Sequence, residues 1–141
     1  MELGIDTKIV LLSSGLIFLW ALSLGVWKYR QMATSANSLA HPYVDIAHRA
    51  ALMYSFATML LAALVQFSDW PTAVNLTAAL VVVFFFVAAI GSYVAHGLMR
   101  DTDNQFTHPV AGTHAFMFAL IVGEIGGTAL ILAGFVRGQF F

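Results

Sequence analysis

Charged residues along this chain fall between four long apolar stretches and almost never inside them. Residues 9–27 carry no charge and stop at Lys28-Tyr29-Arg30. Residues 50–67 are uncharged and stop at Ser68-Asp69-Trp70-Pro71. Residues 72–99 are uncharged throughout, and residues 109–136 are apolar except for Glu124. A helix needs about 20 apolar residues to cross a bilayer core, and each stretch suffices. The pattern predicts an all-α, integral membrane protein: a single four-transmembrane-helix up-and-down bundle with helices at about 9–29, 43–67, 72–99 and 109–136. The third stretch is longer than a span requires, so it tilts or continues past the lipid.

The connections sharpen this picture. A tight turn at Asp69-Trp70-Pro71 joins helices two and three, whereas residues 31–47 and 100–108 form longer polar loops. Proline suits the first turn of a helix, where its missing N–H has no helical partner. Pro42 and Pro109 therefore mark expected starts of helices two and four, with Thr107 as a cap for the latter. Trp27, Tyr29, Tyr43 and Trp70 lie near the ends, where aromatic belts form, and Trp20 lies deeper. Glu2 and Asp6 stand where a secretory leader would be basic, and no small-residue cleavage site follows, so helix one is expected to be retained. The long loops carry Lys28, Arg30, Arg49 and Arg100 against Lys8 and Arg137 on the other side. The positive-inside rule then puts the long loops in the cytoplasm, and a bacterial inner (cytoplasmic) membrane is the expected location.

Composition narrows the chemistry. Of 141 residues, 60% are hydrophobic and 9% charged, against roughly a quarter charged in ordinary soluble domains. The net charge of −1 supplies no basic face, so no nucleic acid is expected as a partner. With no cysteine, thiolate metal sites and iron–sulfur clusters are excluded, leaving His, carboxylate, Tyr or Met as ligands.

All five histidines gather at one membrane face. His41 lies in the first long loop, His48 near the start of helix two and His96 near the end of helix three; His108 and His114 open helix four. Single histidines are tolerated at the headgroup level, but their joint placement on facing helices suits a metal or a haem. His48 leads. At about 100° per residue it shares a face with Ala51, Leu52, Ser55, Met59 and Ala62. Such a small-residue stripe either admits a neighbouring helix or leaves a slot beside the imidazole for a flat macrocycle. Arg49 stands ready for a carboxylate such as a haem propionate, or snorkels to the interface. Tyr93 and His96 are three apart and share a face. Tyr54 lies at similar depth, so two phenols are candidates to line a pocket below the ligand. Glu124 is an intramembrane carboxylate, a functional candidate by its cost alone. Gly123 and Gly127 have the spacing of close helix contact, within or between subunits.

On these residues the chain resembles styrene oxide isomerase, a family of small four-helix membrane enzymes, over most of its length. Ala47-His48 opens helix two where that family has an Ala-His whose His ligates haem b. Gly91-Ser92-Tyr93 stands late in helix three where it has a Gly-x-Tyr whose Tyr faces substrate. Helix one, "LIFLWALSLGVWKY", is similar in texture. The resemblance implies a homotrimer with haem b near subunit interfaces, bound to the lipid bilayer and acting on a small lipophilic substrate. His48 would be the iron's axial ligand. The ferric iron, with an open coordination position, would act as a Lewis acid that isomerises an epoxide to an aldehyde. Tyr93 would orient the oxygen. Tyr54 replaces the family's Asn six residues after the ligand, Glu124 has no counterpart, and the tail "VRGQFF" lacks the family's basic residues.

Other readings fit the same residues. A b-type cytochrome would pair His48 with His96 or His114, with Glu124 handling quinone protons. A non-haem metal site would draw on His41, His48, His96, His108 and His114. An accessory subunit would do no chemistry.

Overall fold

The computed structural model describes residues 2–141. It consists of four helices: α1 (Ile5–Thr34), α2 (Pro42–Gln66), α3 (Thr72–Met99) and α4 (Thr113–Phe140). Each is long and apolar enough to cross a membrane, so the expected all-helical membrane bundle is observed. Alternation of direction puts the α1–α2 and α3–α4 loops at one end and both chain ends with the α2–α3 turn at the other.

α2 starts as its proline dictates. Pro42 occupies the first turn, and the His41 ring accepts the Tyr43 N–H at 3.2 Å, capping an otherwise orphan donor. The Gln31 side chain takes the His41 N–H at 2.9 Å, fastening the end of α1 to the start of α2. α4 departs from expectation. Residues 108–112 do not form a helix, and α4 begins at Thr113 after Gly112, whose φ of 93° needs a glycine. Pro109 instead sits in the loop before that turn. α1 exceeds its apolar stretch at both ends, because a helix does not stop where the lipid stops.

Packing follows small residues. Lipid is as apolar as leucine, so helices associate through close contact rather than through a hydrophobic drive. Ala21, Ala47, Ala51, Ala62, Ala78, Ala79 and Ala89 are all buried along the seams. The Ser14 hydroxyl donates to the Ser55 carbonyl across the α1–α2 seam at 2.8 Å. Gly127 lies so close to α3 that a Cβ there would meet Val82 Cγ2 at 2.6 Å and the Ala78 carbonyl oxygen at 2.9 Å, while Gly123 packs on Phe85. The Gly123–Gly127 spacing thus serves contact between α3 and α4 within the chain.

The α2–α3 turn is clamped to the end of α4. The Trp70 indole donates to the Leu130 carbonyl at 2.8 Å, and the Asp69 N–H to that of Gly134 at 3.0 Å. Arg137 pairs with Asp69 at 3.0 Å and lies over the Trp70 ring. Among the described residues α1 and α4 do not touch. They form opposite flanks of the bundle, with α2 and α3 between. Their outer faces carry exposed apolar residues, such as Leu12, Leu16 and Leu19 on α1 and Phe118, Val122 and Ile125 on α4. In water such faces would drive aggregation; they are the surface that lipid or another subunit covers.

Candidate functional site

Three arcs of α2 carry the candidate chemistry to different sides. His48 sits at the border between the buried face of α2 and its outer face, against α1. Its Nδ1 lies 2.9 Å from the Ala21 carbonyl oxygen. A carbonyl can only accept, so Nδ1 carries a proton, and in the neutral ring Nε2 holds the lone pair. Nε2 has no hydrogen-bond partner among the described residues. The ring reaches α1 because Gly25 has no side chain: a Cβ there would stand 2.8 Å from His48 Cε1. Gly25 is a contributor to this candidate site that the sequence patterns did not single out. Its signal was a glycine inside a helix, which costs about 1 kcal/mol against alanine and calls for a packing reason.

Below His48, towards mid-membrane, the outer surface of α1 and α2 is apolar. Phe18 and Phe56 meet across the seam with ring centroids 6.0 Å apart. Leu22 on α1 and Met59 on α2 are exposed beside them. Above His48, Asp45 receives Lys28 at 2.6 Å and Arg49 at 2.7 Å. Two cations share one carboxylate, which leaves a net positive charge at the membrane edge. The small-residue stripe divides. Ala51, Ser55 and Ala62 are buried in the bundle, and Ser55 has its hydroxyl bonded to the Leu52 carbonyl and its own carbonyl taken by Ser14. That part of the stripe brings α1 close instead of leaving a slot. Leu52 packs half-buried against the core beside Ala47 and Ala51, and Met59 stays exposed.

Tyr54 and Tyr93 lie elsewhere. Six residues on from His48, Tyr54 is turned by about 120° around α2, and it stacks on Phe86 of α3 with centroids 4.2 Å apart. Tyr93 stacks on Tyr43 at 6.0 Å. Glu124 on α4 has its Oε1 buried without a hydrogen-bond partner among the described residues. Tyr93 also lines a cavity of about 330 Å³ between α3 and α4, together with His96, Gln105, Phe116, Met117 and Leu120.

The remaining histidines spread out. His96 Nδ1 lies 2.9 Å from Asp101, and His41 Nε2 lies 3.2 Å from Asp103. Tyr43 accepts the Gln105 N–H at 2.7 Å. Together these contacts pin the α3–α4 loop to α2 and α3. The hydrogen bond from His96 holds the Asp101 carboxyl below its ordinary pKa. His108 and His114 are exposed. Among the described residues no three His, Asp or Glu side chains converge as a metal site. His48 and His96 also face different sides of α2, His48 towards α1 and His96 towards Tyr43 at 5.0 Å. One face of the membrane thus collects five histidines without gathering them into one site.

No protein-family model, curated protein or solved structure matches the chain.

Proposed function

We propose that the protein is a haem b enzyme of a bacterial cytoplasmic membrane that isomerises a lipophilic epoxide to a carbonyl compound, with His48 as the single axial ligand. The observation that carries this reading is the fixed tautomer of His48. Histidines that ligate metals almost always donate their other ring N–H to a carbonyl or carboxylate, which orients the ring and raises its basicity. The Ala21 carbonyl does this for Nδ1 and leaves Nε2 free. The surroundings fit the group. A flat apolar macrocycle would lie against the exposed apolar surface of Phe18, Leu22, Phe56 and Met59, and the surplus positive charge of Lys28 and Arg49 around Asp45 matches propionates at the headgroup level.

Bound ferric haem would supply a Lewis acid with an open coordination position, able to polarise an epoxide C–O bond without net electron transfer. The chain's own residues do the rest. His48 would hold the group, Gly25 admits the ring, and the apolar surface beside it, covered by lipid or a neighbouring subunit, excludes water from the opening epoxide. Tyr93 donates a hydrogen bond that orients the substrate oxygen.

Within one protomer Tyr93 faces the α3–α4 side and His48 the α1–α2 side, so the pair is completed by a neighbouring subunit. α1 and α4 stand at opposite flanks. Packing the α1–α2 face of one subunit on the α3–α4 face of the next is a head-to-tail contact, which closes into a ring when the rotation allows. A homotrimer is the ring that the family resemblance implies. A two-ligand cytochrome has less support, because His48 and His96 point apart.

The first test is the visible spectrum of the protein purified from haem-replete cells. A non-covalent b-type haem is expected, lost in His48→Ala and kept in His41→Ala and His108→Ala. Colourless wild-type protein, or full haem content in His48→Ala, contradicts the assignment.

A further inference from the structure

The α3–α4 cavity has a polar end that the haem reading does not use. His96 and Asp101 form a dyad there. Asp101 is a carboxylate acceptor, so His96 Nδ1 carries a proton, and in the neutral ring Nε2 is an acceptor. Several polar groups at that end are engaged within the protein. Ser92 donates to the Gln105 side-chain oxygen at 3.4 Å, Thr113 donates to the Val110 carbonyl at 2.9 Å, and the Gln105 backbone N–H goes to Tyr43. Three side chains on the wall keep free capacity among the described residues: the Tyr93 hydroxyl and the Gln105 amide nitrogen, donors, and the neutral His96 Nε2, an acceptor. Tyr93 and His96 are three residues apart on α3 and so stand side by side. Phe116, Met117 and Leu120 make the rest of the wall apolar. About 330 Å³ is the lower end of the range for small-molecule pockets and too little for a whole lipid.

One donor beside one acceptor, at the wet end of an apolar chamber, matches a hydroxyl group, which donates once and accepts readily. We propose that this cavity binds a lipophilic alcohol or phenol, whose O–H donates to His96 Nε2 and accepts from Tyr93. An ether, epoxide or ketone of equal size can use Tyr93 but leaves His96 unanswered. Such a ligand forfeits the second hydrogen bond. The inference shares Tyr93 with the proposed substrate site but does not rest on haem, because the preference for an O–H comes from His96 and His48 contributes nothing to this wall.

The test compares 4-butylphenol with 4-butylanisole, which shares its apolar body but lacks the O–H. Binding to the full-length protein in lipid nanodiscs is measured by equilibrium dialysis, with uptake by protein-free nanodiscs subtracted. The phenol should bind about tenfold more tightly than the ether, the scale of one hydrogen bond to a carboxylate-backed imidazole. His96→Phe keeps the ring volume and should erase that preference. Leu120→Trp, or Val110→Trp on the loop side, should fill the chamber and abolish saturable binding of both probes. His48→Ala should bind the phenol as the wild type does, whatever its haem content. Equal affinity for the two probes, a preference that survives His96→Phe, or undiminished binding in both tryptophan variants would overturn the proposal.

Discussion

The His48 imidazole donates from Nδ1 to the Ala21 carbonyl at 2.9 Å, through a gap that exists because residue 25 is glycine. This contact links a sequence choice in α1 to the chemical state of a side chain in α2. It fixes which nitrogen of His48 is free, and that decides whether a metal can be held.

Gly25→Ala therefore tests the link without touching the ligand. The new Cβ would stand 2.8 Å from His48 Cε1, too close for the ring to stay. Alanine is the better helix former by about 1 kcal/mol, so α1 itself should hold. The expected result is wild-type helicity by circular dichroism with haem content reduced several-fold. Unchanged haem content would mean that the Ala21 contact does not position the ligand.

Gly127→Ala probes the α3–α4 contact. Its Cβ would press on the Ala78 carbonyl oxygen at 2.9 Å, a backbone atom that cannot swing away. Overpacking of this kind costs about 1–3 kcal/mol. A lower thermal midpoint in detergent is expected, whereas Gly126→Ala, with open space around it and the better helix former in place, should keep or raise the midpoint.

The loop contacts predict an acid limit. Asp101 is held below its ordinary pKa by the His96 hydrogen bond. A carboxylate whose folded pKa is depressed stabilises the fold above its unfolded value, near 3.9, and loses that contribution as pH falls through the lower folded value. The loop of residues 100–112 should therefore keep its protection at pH 5 and lose it below about pH 4. Hydrogen exchange at the Gln105 amide, which donates to Tyr43, reads this directly. Asp101→Asn should remove the pH step.

Subunit mixing tests the cross-subunit site. His48→Ala and Tyr93→Phe should each abolish or sharply lower epoxide turnover, Tyr93→Phe with haem content retained. Co-expressed, the two chains should recover part of the activity, because some interfaces then pair an intact His48 with an intact Tyr93. No recovery in verified mixed oligomers would place both residues in one subunit's site.

Much of the fold was legible because apolar length and charge placement are local properties. Four spans, the proline start of α2 and the shared face of the histidines all followed from them. The start of α4 was not. Pro109 and Thr107 made a plausible helix start, but Gly112 and Thr113 made another. The second prevailed in a segment tied down by Tyr43–Gln105 and His96–Asp101, contacts between distant residues that no local pattern displays. The site was legible only as a list of residue types. Periodicity placed His48 and Ser55 on one face, yet a helical face is wide: Ser55 turned into the α1 seam and His48 to its rim. Gly25 and Asp101 went unnoticed, because each acquires meaning only through a partner on another element.

The most direct measurement of the central claim is electron paramagnetic resonance of the purified ferric protein, run beside an aryl epoxide assay without reductant. The account predicts a signal from haem with one histidine ligand and an accessible sixth position, perturbed by added epoxide, together with formation of the aldehyde. A low-spin bis-histidine signal with no aldehyde formed would contradict it and assign the protein to electron transfer.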